Sequence, residues 1–256
     1  MNREELYALS RKKVLRGELP RELCLYSPRE VYNALIRNNF IKKWHMFISK
    51  QYYPPPGKKV LLLYPCSTVK PYYMSRSYVT LFRTLKSLGR SIRQLIHVVT
   101  ISEPFGLIPE EYYDKKHVWY DCPGLFEWWC KKMGQPYEEE YVEKSINILS
   151  ECVACFLKGT YEHYKIRIAF VRTFSSGLRV RKDYIHRRIV EKASALANIH
   201  VELLPPIEIV KLIVTRRGAR AWDFYGVAHP IAQEYLKRFL LKRISQYNLG
   251  GTKNVL

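Results

Sequence analysis

The chain has 256 residues, 47% hydrophobic and 14% aromatic, which excludes a disordered polypeptide and predicts one domain, or one domain with appendages, around a sizeable core. Lys and Arg number 43 against 23 Asp and Glu, a formal charge of +20 that attracts polyanions, although a generally Lys- and Arg-rich surface gives the same count. No apolar run approaches the roughly 20 residues of a membrane span, and the charged stretch Met1 to Pro20 does not read as a secretion signal. Nucleic acid is therefore favoured over membrane as the partner, and the cytoplasm is the expected location.

Ser27-Pro28-Arg29-Glu30 has the pattern of a capping box with proline at the first helical position. The helix it opens is predicted to run to about Gln51, with Val31, Leu35, Ile36, Phe40 and Trp44 on one stripe. Pro54-Pro55-Pro56-Gly57 breaks the chain. Lys59 to Tyr64 is then a short apolar run bounded by breakers, the pattern of a central strand covered on both faces. Tyr78 to Leu88 reads as a helix ended by Gly89, and Ile92 to Ile101 as a second strand. Pro104 to Pro123 looks irregular. Tyr137 to Tyr164 has the pattern of a long helix, Ile166 to Val171 of a strand, Asp183 to Ala197 of a helix and Val201 to Leu204 of a fourth strand. A basic helix is predicted from Pro230 to about Tyr247, and Gly250 to Leu256 as a flexible tail. Strands separated by helices imply βαβ units, with a parallel or mixed sheet between helical layers. The expected organisation is an N-terminal helical extension over 1–56, an α/β core over 57–204 and a basic C-terminal extension over 205–256.

Six cysteines without a small-scaffold spacing suit a reducing compartment. Cys152 and Cys155 form a C-x-x-C inside a helical pattern, where zinc would need two further ligands, so they read as core cysteines and no metal or cofactor is expected.

Ligands of open α/β sheets bind beyond the carboxyl ends of the strands, and two segments there are chemically dense. Pro65 to Tyr78 combines Cys66, Ser67, Lys70, Tyr72 and Ser75 ahead of a helix N-terminus, which suits an anionic or polar ligand or, equally, a plain surface connection. It lacks the glycines of a P-loop. The second segment runs from Thr100 through Glu103 to Gly124. In it Asp121 sits among aromatics and prolines, where burial could tune it as a base, or where it could simply cap the next helix. Basic clusters at Arg179, Arg181 and Lys182, at Arg187 and Arg188, at Arg216 and Arg217, and along Lys237 to Arg243 are candidate phosphate contacts.

These two segments together resemble the catalytic core domain of the archaeosine synthase family, archaeal enzymes of tRNA modification. The family motif P-C-x3-K-P-Y-x2-S-x2-H is matched by Pro65, Cys66, Lys70, Pro71, Tyr72 and Ser75, with Tyr78 where the family has histidine. A second pattern, S-x-P-x-G-x-[IV]-P-x-E leading to Y-D-x-P, is matched by Ser102, Pro104, Gly106, Ile108, Pro109, Glu111, Tyr120, Asp121 and Pro123. The resemblance covers about Pro28 to Ala197.

The resemblance implies an α/β three-layer sandwich with a mostly parallel sheet, similar to the uracil-DNA-glycosylase fold. It implies a substrate tRNA carrying 7-cyano-7-deazaguanine, with free lysine added to the nitrile before a partner radical enzyme cleaves the adduct. On that basis Asp121 is the candidate base or amine anchor, and Lys70 the group for the lysine carboxylate or a tRNA phosphate. Cys66 is a candidate for a transient thioimidate or a structural residue. Ser67, Tyr72, Ser75, Tyr78 and Glu103 are candidate pocket residues. Tyr78 in place of histidine removes a group that titrates near neutrality. Neither the transglycosylase-like barrel nor the PUA domain of full-length members is legible in these residues, so both are expected on separate polypeptides unless the core has been reused. The rival reading is a non-catalytic RNA-binding protein of the same fold, associated with tRNA or the ribosome. DNA binding rests on fold analogy alone.

Overall fold

The computed structural model describes residues 1–249; the predicted tail from Gly250 lies outside them. The apolar run after the proline connector forms β1 (Val60–Pro65), in which Val60 to Tyr64 are completely buried. It pairs in parallel with β2 (Ile96–Ser102) on one side and β4 (Ile166–Phe170) on the other, so β1 is central, as its uninterrupted hydrophobicity predicts. β4 in turn pairs in parallel with β5 (Glu202–Leu204). The fifth strand, β3 (Gly106–Pro109), runs antiparallel to β2 from within the segment expected to be irregular. Gly106 has φ +71°, a backbone state that glycine tolerates best, and this lets the chain fold straight back after Ser102. The sheet order is β3-β2-β1-β4-β5, and the protein is an α/β sandwich with a mostly parallel sheet between helical layers.

Two helical groups cover the sheet. α2 (Pro28–Arg37) and α8 (Ile185–Ala197) pack on the long α7 (Glu139–Gly159). α4 (Arg76–Lys86) and α9 (Ile207–Arg217) pack on α11 (Pro230–Gln246), which also touches β4. Among the described residues no helix is long and apolar enough to cross a membrane.

Several boundaries differ from the expectation. The helix predicted to run from Ser27 to Gln51 is cut at Asn38, whose side chain caps a new helix, α3 (Asn39–Met46), by accepting from the N–H groups of Phe40 and Ile41. The axis change leaves Ile36 exposed while Val31, Leu35 and Trp44 stay buried. Phe47–Gln51 finishes as a π-helical turn. Ile92 to Leu95, expected as strand, belong to the short α5 (Arg90–Leu95), because Gly89 at φ +89° turns the chain into one more helical turn before β2 begins. Three further helices were not expected, α1 (Arg3–Arg11), α9 and α10 (Ala219–Tyr225), and the helix expected after Asp121 is the short α6 (Glu127–Met133), which Asp121 does not cap. Leu23, Val31, Ile41, Trp44 and Ile48 belong to the same hydrophobic core as the sheet.

Candidate active site

The parallel strands β1, β2 and β4 all point their carboxyl ends the same way, which sets Cys66, Glu103 and Arg172 along one edge. A cavity of about 600 Å³ opens there, lined among others by Cys66, Lys70, Asp121, Arg172 and His186. That volume lies within the range of small-molecule sites.

Cys66 leaves β1 half-buried, and its Sγ lies 3.7 Å from Oε2 of Glu103, which is 1% exposed. Glu103 Oε1 lies 3.3 Å from His186 Nε2 on the first turn of α8. Burial alone works against a charged imidazole at His186. The Glu103 carboxylate and then the Cys66 sulfur outweigh it and hold the histidine pKa well above its ordinary value.

Lys70 is 2% exposed and sets its ammonium 4.2 Å from the centre of the Tyr120 ring. Its main chain is stitched to the N-terminal segment: Lys70 N–H donates to the Lys13 carbonyl and Leu15 N–H to the Lys70 carbonyl. Asp121 is buried beside it. Its Oδ2 accepts from Lys13 Nζ at 2.6 Å and from Ser10 Oγ at 2.6 Å, and its main chain bonds to Leu23 and Leu25. Asp121 thus ties α1 and the following loop to the cavity wall. Gly124 follows closely, and a Cβ there would meet the Ser27 backbone at 2.7 Å, so only glycine lets this loop lie against the start of α2.

The structure brings the two predicted segments together at Cys66, Ser67, Lys70, Asp121 and Glu103, of which all but Glu103 line the cavity, with Glu103 directly behind Cys66. Tyr72, Ser75 and Tyr78 do not line it. The Tyr72 hydroxyl bonds to Tyr120 at 2.7 Å, and Tyr78 donates to the Pro65 carbonyl at 3.1 Å and pairs with Thr100. Burial pushes both phenols well above their ordinary pKa, so neither titrates near neutrality. Ser75 caps α4 by accepting from Tyr78 N–H. These three hold the loop from below, because a strand end packed this deeply needs its polar groups bonded.

Of the basic candidates, Arg181 and Arg187 reach the cavity rim. Arg181 is paired with Asp183, and Arg187 with Glu191 and the Thr173 carbonyl. Arg188 pairs with Glu143. Arg179 and Lys182 are exposed nearby. Arg216 and Arg217 end α9 at the surface, outside the cavity lining. Sequence reasoning missed Lys13, Arg172 and His186. It also missed two rim aromatics, exposed Trp128 and Tyr225, the latter with the Arg76 guanidinium 4.8 Å from its ring centre. His186 sits within a basic run, and only its place on the inner face of α8 marks it.

A family model described as "Domain of unknown function (DUF5591)" matches residues 41–175, more than half of the chain. The chain is 35% identical over 82 residues to archaeosine synthase subunit alpha of Thermococcus kodakarensis, covering 32% of this chain and 14% of that protein. It is 33% identical over 177 residues to the Thermoplasma acidophilum subunit of the same name, covering 68% and 30%. To archaeosine synthase of Methanocaldococcus jannaschii it is 28% identical over 109 residues, covering 43% and 16%. The matched region is thus less than a third of each of these relatives. The crystal structure of AF0587, a protein of unknown function, overlaps 77% of this chain and 49% of its own, at 17% identity and a TM-score of 0.44.

Proposed function

Because the chain belongs to the DUF5591 domain family, and regions of archaeosine synthases are similar to it, we propose that it acts in archaeosine formation on tRNA, as the core or a subunit of the enzyme that adds lysine to a base nitrile. The observation that carries this reading is the convergence of Cys66, Lys70 and Asp121 on one cavity with arginines at its rim. The cavity is wide enough for one extruded nucleobase with an amino acid beside it. Trp128 and Tyr225 offer stacking faces for the base or its neighbours, and Arg172, Arg181 and Arg187 offer phosphate contacts.

Adding an amine to a nitrile needs the amine deprotonated and a donor for the developing imide nitrogen. Asp121 is the amine anchor and base. Among the described residues both of its side-chain hydrogen bonds fall on Oδ2, which leaves Oδ1 for the incoming ammonium. Lys70 takes the lysine carboxylate, since it is a cation already desolvated at the wall. The matched region is less than a third of each of these relatives, so the full reaction is tested with the remaining modules supplied.

Asp121→Asn should abolish adduct formation on nitrile-bearing tRNA while changing RNA affinity less than about threefold, since it removes a proton acceptor and no phosphate contact. Affinity falling in parallel with turnover would refute the role given to Asp121. A wild type that forms no adduct with the missing modules supplied, and responds only to charge reversal at the rim, would favour a non-catalytic RNA-binding protein.

A further inference from the structure

Three donor atoms from distant parts of the chain meet at the cavity floor. Cys66 follows β1, Glu103 follows β2 and His186 opens α8, yet one donor atom of each lies within 4.8 Å of the other two. Cys66 Sγ is 3.7 Å from Glu103 Oε2, and His186 Nε2 is 3.3 Å from Glu103 Oε1. Around a tetrahedral zinc ion, with bonds of about 2.0 Å to nitrogen and oxygen and about 2.3 Å to sulfur, neighbouring ligands stand about 3.3–3.5 Å apart. These two contacts, each to a different Glu103 oxygen, lie near that spacing, and one donor atom per residue within 4.8 Å of the other two needs only a small closing movement to reach it.

A second observation points to a ligand. Glu103 Oε1 and His186 Nε2 are both buried and, among the described residues, neither makes a hydrogen bond, although they face each other. Buried polar atoms are normally bonded. In a simple ion pair the ring N–H would aim at the carboxylate oxygen; ligands of a shared ion aim at the ion instead, so their mutual contact is close but misaligned.

We propose that Cys66, Glu103 and His186 bind one divalent transition-metal ion, zinc by the mixed sulfur, nitrogen and oxygen donor set, with its fourth position open to the cavity. Cys66 and His186 line the cavity while Glu103 lies behind them, so the unfilled side of the cluster faces the space a substrate would occupy. Three protein ligands with one open position is the arrangement of a catalytic zinc site, and carboxylate with thiolate excludes the four-cysteine structural type. The C-x-x-C in α7 does not contribute: Cys152 is buried within the core and Cys155 is exposed.

One use of the open position rests on the function proposed above. A nitrile nitrogen held there is polarised by the ion. The neutral amine adds to the nitrile carbon, a new C–N bond forms as one π bond of the nitrile breaks, and a proton from the amine passes to the former nitrile nitrogen. Amine and nitrile give amidine, and no co-reactant is consumed. The metal site itself does not depend on that use.

The test is zinc titration of the chelator-stripped chain by calorimetry, alongside absorption spectra with cobalt as the probe. One ion should bind per chain, and cobalt should give a thiolate charge-transfer band that Cys66→Ser abolishes. Zinc affinity should fall by more than about 100-fold in Glu103→Gln and in His186→Ala. Cys155→Ser should leave it unchanged. Because a variant could misfold, alkylation of Cys66 in the wild type supplies an independent reading: saturating zinc should slow it at least tenfold. Absence of stoichiometric binding, binding that survives Cys66→Ser, or alkylation unaffected by zinc would overturn the proposal. Zinc bound as described in a protein that never forms the adduct would sink the function proposed above and leave the metal site standing.

Discussion

Replacing Lys13 with alanine tests how the N-terminal segment is held against the site. Lys13 Nζ is 2.6 Å from Asp121 Oδ2, with the lysine side chain 26% exposed and the aspartate 3%. Breaking a fully buried ion pair costs about 3–5 kcal/mol, because one charge is left unpaired. Here water reaches the lysine side and Ser10 Oγ still donates to the carboxylate, so the value for a charged hydrogen bond applies, about 2 kcal/mol. For a chain of this size that corresponds to a Tm lower by about 4–8 °C. The main-chain bonds between Lys13, Leu15 and Lys70 are untouched by the substitution, so the loss is local to the pair. Thermal unfolding of Lys13→Ala, Asp121→Asn and the double variant measures it, and the two single losses should sum to at least about 1 kcal/mol more than the double-variant loss. A Tm within about 1 °C of wild type for Lys13→Ala would refute the claim that this pair anchors the segment.

Leu62→Asp places a charge in the centre of β1, where the side chain is completely buried; a cost of about 4 kcal/mol or more should leave little soluble protein, and a soluble variant that melts cooperatively near the wild-type temperature would contradict the central placement. RNA affinity should fall with salt: three phosphates held by Arg172, Arg181 and Arg187 give a slope of about 2–3 in log affinity against log salt, and a flat response in filter binding would exclude a phosphate-led interface. Burial pulls the His117 pKa down to about 4 from an ordinary 6.5, with its ring stacked on Phe40 and close against Trp44. The unfolded chain therefore binds the extra proton first, so His117 stabilises the fold above pH 6.5 and that contribution is lost as pH falls toward about 4. Denaturant unfolding across this window should show the decline, and His117→Gln should flatten it; an equal decline in the variant would assign it elsewhere.

The sheet was legible because β1 is an apolar run and β2, β4 and the short β5 are largely apolar, set between Pro, Gly and helical patterns, a signal carried by each segment alone. β3 was not, since four residues that include Gly106 and Pro109 form a strand only by pairing with β2. The same distinction runs through the site. Cys66, Lys70 and Asp121 stand in dense loops at strand ends, where topology alone brings ligands. Lys13 meets Asp121 across 108 positions, and His186 reaches Glu103 from a stretch that reads as basic helix; neither contact leaves a local trace. Tyr72 fits the motif and Tyr78 stands at its histidine position, yet both serve as bonded core phenols, because spacing fixes where a side chain starts and packing decides where it ends.

The central claim is that this cavity joins an amine to a nitrile on tRNA. Its most direct test is mass spectrometry of nucleosides from tRNA bearing 7-cyano-7-deazaguanine, incubated with the purified chain, free lysine and the remaining synthase modules. The account predicts a modified nucleoside heavier by one lysine, formed by wild type and absent with Asp121→Asn. Recovery of only the unreacted nitrile nucleoside from the wild-type reaction, with tRNA demonstrably bound, would contradict it.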